Sequence, residues 1–110
     1  DKLLQADPAI NVVMSLNDPT ALGAMAALQD RGMLDQTLVY GVDGAPEAKS
    51  MIAEGGMIAT VAQSPIQIGQ ETAQVIYQIL SGEAYPAEII VPVELITEDN
   101  VSQFGVDGWQ

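Results

Sequence analysis

The chain has 110 residues, enough for one small domain, and its 48% apolar and 16% charged residues form a core-building rather than a disordered composition. A net charge of −12, with Lys2, Arg31 and Lys49 as the only cations, leaves nothing to cluster against a nucleic-acid backbone and disfavours anionic membrane surfaces. Histidine and cysteine are both absent, which removes thiol nucleophiles, Ser-His triads and the usual zinc ligands. No apolar run approaches the roughly 18 residues of a membrane span, and Asp1-Lys2-Leu3-Leu4 lacks the layout of a signal peptide.

In chain order, Asp1 to Ala6 reads as the last turn of a helix, with Leu3 and Leu4 inward and Asp7-Pro8 as the stop, so the chain is expected to start mid-element. Ile10 to Leu16 is a short apolar strand of the kind buried on both faces in a parallel sheet. Asn17-Asp18-Pro19-Thr20 then starts a helix, with Asp18 expected as N-cap and Pro19 at the first helical position. The helix continues from Ala21 to Arg31 and closes at Gly32, and its alanines imply close packing on a sheet. Thr37 to Val42 is a second strand, ending at Asp43-Gly44-Ala45-Pro46, and a helix from Glu47 to about Glu54 stops at Gly55-Gly56. Ile58 to Ala62 is a third strand. Pro65 to Leu80 is the longest helix, with Ile66, Ile68, Ala73, Ile76 and Leu80 on or near one stripe and Gly82 at its end. Glu88 to Ile96 is β-rich but broken by Pro92, which suits an edge or crossing segment, and a polar tail runs from Thr97 to Gln110. This β-α-β-α-β-α-β order predicts an α/β fold with a mostly parallel sheet flanked by helices.

Three strands end in a polar side chain, at Asn17, Asp43 and Gln63. In open α/β sheets the carboxyl edge of the strands is where ligands bind, so these residues are the candidate ligand-binding set. Each also has a plain alternative. Asn17 and Asp18 can both simply start a helix, Asp43 can be a turn aspartate bonding its own backbone, and Gln63 can be a polar residue before Pro65. An acid at the end of a strand can equally accept two vicinal hydroxyls or hold a metal. No phosphate-binding glycine loop is present, and Glu98, Asp99 and Asp107 lack the glycine and closing glutamate of a calcium loop. Asn100-Val101-Ser102 matches a glycosylation sequon, a pattern frequent by chance, and Tyr40, Tyr77 and Tyr85 are too scattered to form a stacking platform. Neither a catalytic constellation nor a cofactor signature emerges.

The stretches Met14 to Ala24, Val39 to Pro46 and Glu54 to Pro65, with their Asn-Asp, Gly-x-Asp-Gly and Ala-x-x-Ala-Gln motifs, resemble the type I periplasmic sugar-binding proteins, the ribose-binding branch most nearly. Pro92 to Val101 is similar to the closing segment of that group. The resemblance covers nearly the whole chain. It implies a non-catalytic protein that binds a monosaccharide between two α/β lobes and delivers it to the membrane permease of an ABC importer, in the periplasm or extracellularly, with a membrane-anchored lipoprotein as one form. Carried over residue by residue, the sugar contacts fall on Asn17, Asp43 and Gln63.

Family chains are far longer, so the resemblance also implies a C-terminal portion in which residues 1–63 belong to one lobe, residues 64–96 cross to the other, and 97–110 form a tail. The strand after Ile10 would then present an open sheet edge, a template for self-association. Beside the possibility that this piece by itself binds nothing and is only a stable fragment or an assembly unit, two rivals remain. One is the effector-binding domain of a sugar-responsive transcription regulator, which shares the fold. The other is a doubly wound enzyme using Asp43, for which the chain offers few groups to stabilise developing charge.

Overall fold

Four strands form one mixed sheet in the order β1-β2-β3-β4. They are Val12–Met14 (β1), Leu38–Asp43 (β2), Ala59–Ala62 (β3) and Glu94–Thr97 (β4), in a computed structural model that describes residues 2–110. β1 lies parallel to β2 and β2 parallel to β3, whereas β4 runs antiparallel along β3, pairing Ile96 with Thr60. Parallel neighbours need a crossover, and two helices supply it: α2 (Asp18–Gln29) between β1 and β2, and α3 (Pro46–Ala53) between β2 and β3. α1 (Lys2–Ala6) precedes the sheet and α4 (Pro65–Ser81) follows β3.

The core lies under this sheet. Ala21, Met25 and Leu28 recur at helical spacing on one face of α2 and are buried with Val39 of β2, Ile52 of α3, Met57 before β3 and Ile96 of β4. Val101, in a short 3-10 turn after β4, closes one side of the cluster. Parallel pairing sends β1, β2 and β3 in one direction, so Asn17, Asp43 and Gln63 all lie at one edge of the sheet.

Several elements differ from their sequence reading. β1 is three residues long instead of spanning Ile10 to Leu16, and it is not buried on both faces: Val12 and Met14 are exposed and Leu16 is 92% exposed. Among the described residues β1 pairs with β2 alone, so its outer side has nothing to bury against. Leu4 turns inward from α1 but Leu3 faces out, and Asp1 lies outside the described residues. The final β-rich run is a strand only after Pro92, where every residue can again donate to a ladder. Since β4 pairs with β3, Glu94, Leu95 and Ile96 belong to this sheet, and the segment that leaves it is residues 65–93.

That segment gives the molecule its shape. α4 ends in a left-handed Gly82, with Gly82 N–H bonded to Ile79 O and Glu83 N–H to Gln78 O, the paired bonds of a Schellman cap. No residue of α4 is buried. The Cα radius of gyration is 17.8 Å and the principal extents are 59 × 30 × 16 Å, against about 13 Å for a compact chain of about 100 residues.

Candidate functional site

The three strand ends are held by a buried carboxylate that the sequence reading had assigned to another task. The cap of α2 is Asn17, not Asp18: its backbone is extended and its Oδ1 accepts the Thr20 N–H at 2.9 Å. Moving the cap back by one residue turns Asp18 inward, where it is 0% exposed. One carboxylate oxygen of Asp18 accepts the Thr60 hydroxyl at 2.7 Å and the other accepts the Ala45 N–H at 2.8 Å. Thr60 Oγ1 in turn accepts the Gly44 N–H at 3.2 Å. Asp18 thus ties the start of α2 to β3 and to the turn between β2 and α3. Gly41 makes room for it, because a Cβ there would strike the Asp18 carboxylate and the Met57 methyl. Burial pushes the Asp18 carboxyl above its ordinary value, against the lowering effect of the Ala45 and Thr60 bonds, and the nearby Asp43 charge adds to the rise.

Asp43 sits above this anchor with φ +128°, the one non-glycine residue with positive φ among the described residues. Side chains rarely adopt that conformation, and such strain concentrates where the surrounding structure enforces it for function. The carboxylate does not fold back on its own turn. Oδ1 accepts the Gln63 side-chain amide at 3.0 Å, and Oδ2 faces the Asp18 N–H at 3.4 Å. Gln63 is exposed, and its own N–H bonds Asp43 O at 3.1 Å, extending the β2–β3 pairing by one step. The structure therefore joins Asp43 and Gln63 directly. Asn17 stands one residue from the Asp18 N–H that reaches Asp43, with its Oδ1 committed to the cap.

Two residues at this edge escaped the sequence reading. Lys49 of α3 is 0% exposed and donates to Gly108 O at 2.6 Å and to Gln110 Oε1 at 3.2 Å. Burial pulls its ammonium below the ordinary lysine value. Gln110 Nε2 donates to Gln63 O at 2.7 Å and faces Asp43 O at 3.4 Å. A signal for Lys49 was available, since it falls between Ala48 and Ile52 on the apolar face of α3. Gln110 gave none, because its partners lie 47 and 67 residues earlier in the chain.

Chemically, the edge offers a carboxylate and two amides, groups that pair with adjacent hydroxyls as acceptors and donors in one plane. No group of three or more acidic side chains suited to a metal gathers among the described residues. A concavity of about 480 Å³ lies elsewhere, between Ile68, Val75 and Ile76 of α4 and the returning residues 86–91. It is an apolar flank of the extended segment and contains none of the strand-end groups.

Fold, strand-end chemistry and sequence all lead to one class. Residues 1–84 match the family described as periplasmic binding protein domain, and the chain belongs to that family. It is 39% identical over 94 residues to the ribose import binding protein of Salmonella typhimurium, a match covering 86% of this chain and 31% of that relative. It superposes with a TM-score of 0.89, at 34% identity, on an ABC transporter solute-binding protein from Bacillus halodurans solved with bound myo-inositol, covering 94% of this chain and 36% of the other. A periplasmic solute-binding protein from Actinobacillus succinogenes with bound D-allose gives a TM-score of 0.90 at 25% identity, covering 94% of this chain and 37% of that one. The chain spans about a third of the length of the relatives it matches.

Proposed function

We propose that this chain forms one wall of a monosaccharide site in the solute-binding component of an ABC sugar importer, and that it binds without catalysis. The observation that carries the reading is the hydrogen-bonded pair of Asp43 and Gln63 at the carboxyl ends of adjacent parallel strands, with Asp43 held at φ +128°. Asn17 completes the set, through the amide nitrogen that its cap leaves over. In this reading the ligand is a ribose-like pentose or a hexose, which displaces the Gln63 amide from Asp43 and takes its place on the carboxylate. Ribose, D-allose and myo-inositol, which appear in the names or bound states of the similar proteins, support a compact polyol with vicinal hydroxyls. The same comparisons favour a transporter component over a transcription regulator.

The wider assignment follows from the same reading. Residues 1–63 form part of one lobe, while residues 65–93, a shorter span than 64–96, cross toward a second before β4 returns, which suits a helix with no buried residue. Residues 97–110 form the tail. The partner is the importer's membrane permease, and the protein works in the periplasm or at the outer face of the membrane. The open edge of β1 takes up a further strand, from a longer chain or from a second copy.

An NMR titration with ribose, allose, myo-inositol and glucose tests the site. Saturable shifts at Asn17, Asp43 and Gln63 are expected, at about millimolar strength for a single wall. Asp43→Ala should cost about 2 kcal/mol of binding, because ligand hydroxyls lose their charged acceptor. Shifts centred on other residues, or an unchanged affinity in the variant, would remove Asp43 from the site.

A further inference from the structure

Gln110 lies against both candidate sugar-binding strand ends, and its orientation is dictated by chemistry. The Lys49 ammonium carries only donors, so the group of Gln110 that meets it must be the amide oxygen. The amide NH2 is thereby aimed at the carbonyls of Gln63 and Asp43, which only accept. The fit is built on both sides. Lys49 is fully buried on uncharged partners, and the missing side chain of Gly44 leaves the space that the Gln110 amide nitrogen fills. Asp43 O then receives two N–H groups, from Gln63 and from Gln110.

We propose that Gln110 is a positioning residue for the strand-end site: oriented by Lys49, its amide pins the backbone of Asp43 and Gln63 and so fixes the geometry in which their side chains meet a ligand. The binding role rests on the sugar reading above, whereas the pin itself is a property of the fold. The pin sits where the chain leaves the sheet, since α4 begins two residues after Gln63 at Pro65. It therefore also sets the point from which the extended segment departs.

Gln110→Glu separates this role from simple anchoring of the tail. Glutamate keeps the contact with Lys49 and makes it charge-assisted, yet replaces the donor to Gln63 and Asp43 by a second oxygen facing their carbonyls. Hydrogen exchange reads the result at two N–H groups of the same strand pair: Gln63, bonded to Asp43 O at the site, and Ile58, bonded to Val39 O at the far end. Gln63 exchange is expected to accelerate by about tenfold or more with Ile58 unchanged, since the opening is local. Lys49→Met, which leaves Gln110 intact but unoriented, should accelerate Gln63 in the same selective way. Unchanged Gln63 exchange in either variant, or equal acceleration at Ile58, overturns the relay. In a parallel ribose titration the affinity of Gln110→Glu should fall several-fold, and an undiminished affinity overturns its role in binding. If the wild-type chain itself shows no ribose response, the sugar reading fails, and the exchange contrast still decides the pin.

Discussion

The two long helices of this chain behave in opposite ways. α2 has only a weak apolar stripe, made largely of alanine, yet it buries Ala21, Met25 and Leu28 against the sheet. α4 carries the stronger stripe, with Ile68, Ile76 and Leu80 near one line, and buries nothing. Small residues let α2 approach the sheet closely, so a modest stripe suffices. Ile68 and Ile76 of the bulkier α4 stripe face residues 86–91 across an open apolar groove. Amphipathicity thus marks a surface made for covering, and whether it is covered depends on what else the chain supplies.

The contrast can be broken or sharpened by substitution. Leu28, 1% exposed, should lose about 3 kcal/mol of stability on change to alanine through lost burial and a residual cavity. Ile76, 50% exposed, should change by no more than about 0.5 kcal/mol under the same truncation. Chemical denaturation of both variants measures the pair, and equal losses would show that α4 is packed as tightly as α2.

A smaller effect tests the buried anchor that the first region has and the second lacks. Asp18→Ala should destabilise by about 2 kcal/mol at neutral pH, since the Thr60 and Ala45 donors lose their acceptor. The deficit has a defined pH dependence. A carboxyl whose folded pKa is raised contributes most when protonated, and loses part of that contribution as pH climbs through the raised value. The gap between wild type and Asp18→Ala should therefore widen as pH falls toward the ordinary aspartate value of 3.8. A gap that narrows on acidification would mean that hydrogen bonding outweighs burial at Asp18.

Asp43→Gly has the smallest expected effect on stability. Relief of about 1 kcal/mol of backbone strain offsets the lost Gln63 bond and the added chain entropy of glycine, leaving a net change within about 0.5 kcal/mol. A loss as large as that of Asp18→Ala would show that the carboxylate holds the turn together, not merely a ligand.

Much of this molecule could be read from its residues. The β-α alternation, the glycine that ends α4 and the convergence of Asn17, Asp43 and Gln63 on one sheet edge all follow from local chemistry and strand direction. The failures share a physical cause, which is dependence on distant partners. Asn17 rather than Asp18 caps α2 because either can cap a helix, and only Thr60 and the Ala45 N–H favour the inward carboxylate. The burial of Lys49 depends on Gly108 and Gln110, far along the chain. The length of β1 depends on what lies beside it, which no local pattern encodes.

The Asp18 anchor has a consequence for transplantation between relatives. The turn that presents Asp43 looks like a short, portable loop, but its geometry draws on Asp18, 27 residues before Ala45 and 42 before Thr60, and on the absence of a side chain at Gly41. Grafting that loop alone into another scaffold would carry the ligand-facing carboxylate without the groups that hold its backbone. Recombination that respects the anchor must move the start of α2, the β2 turn and the Thr60 strand as one inherited block.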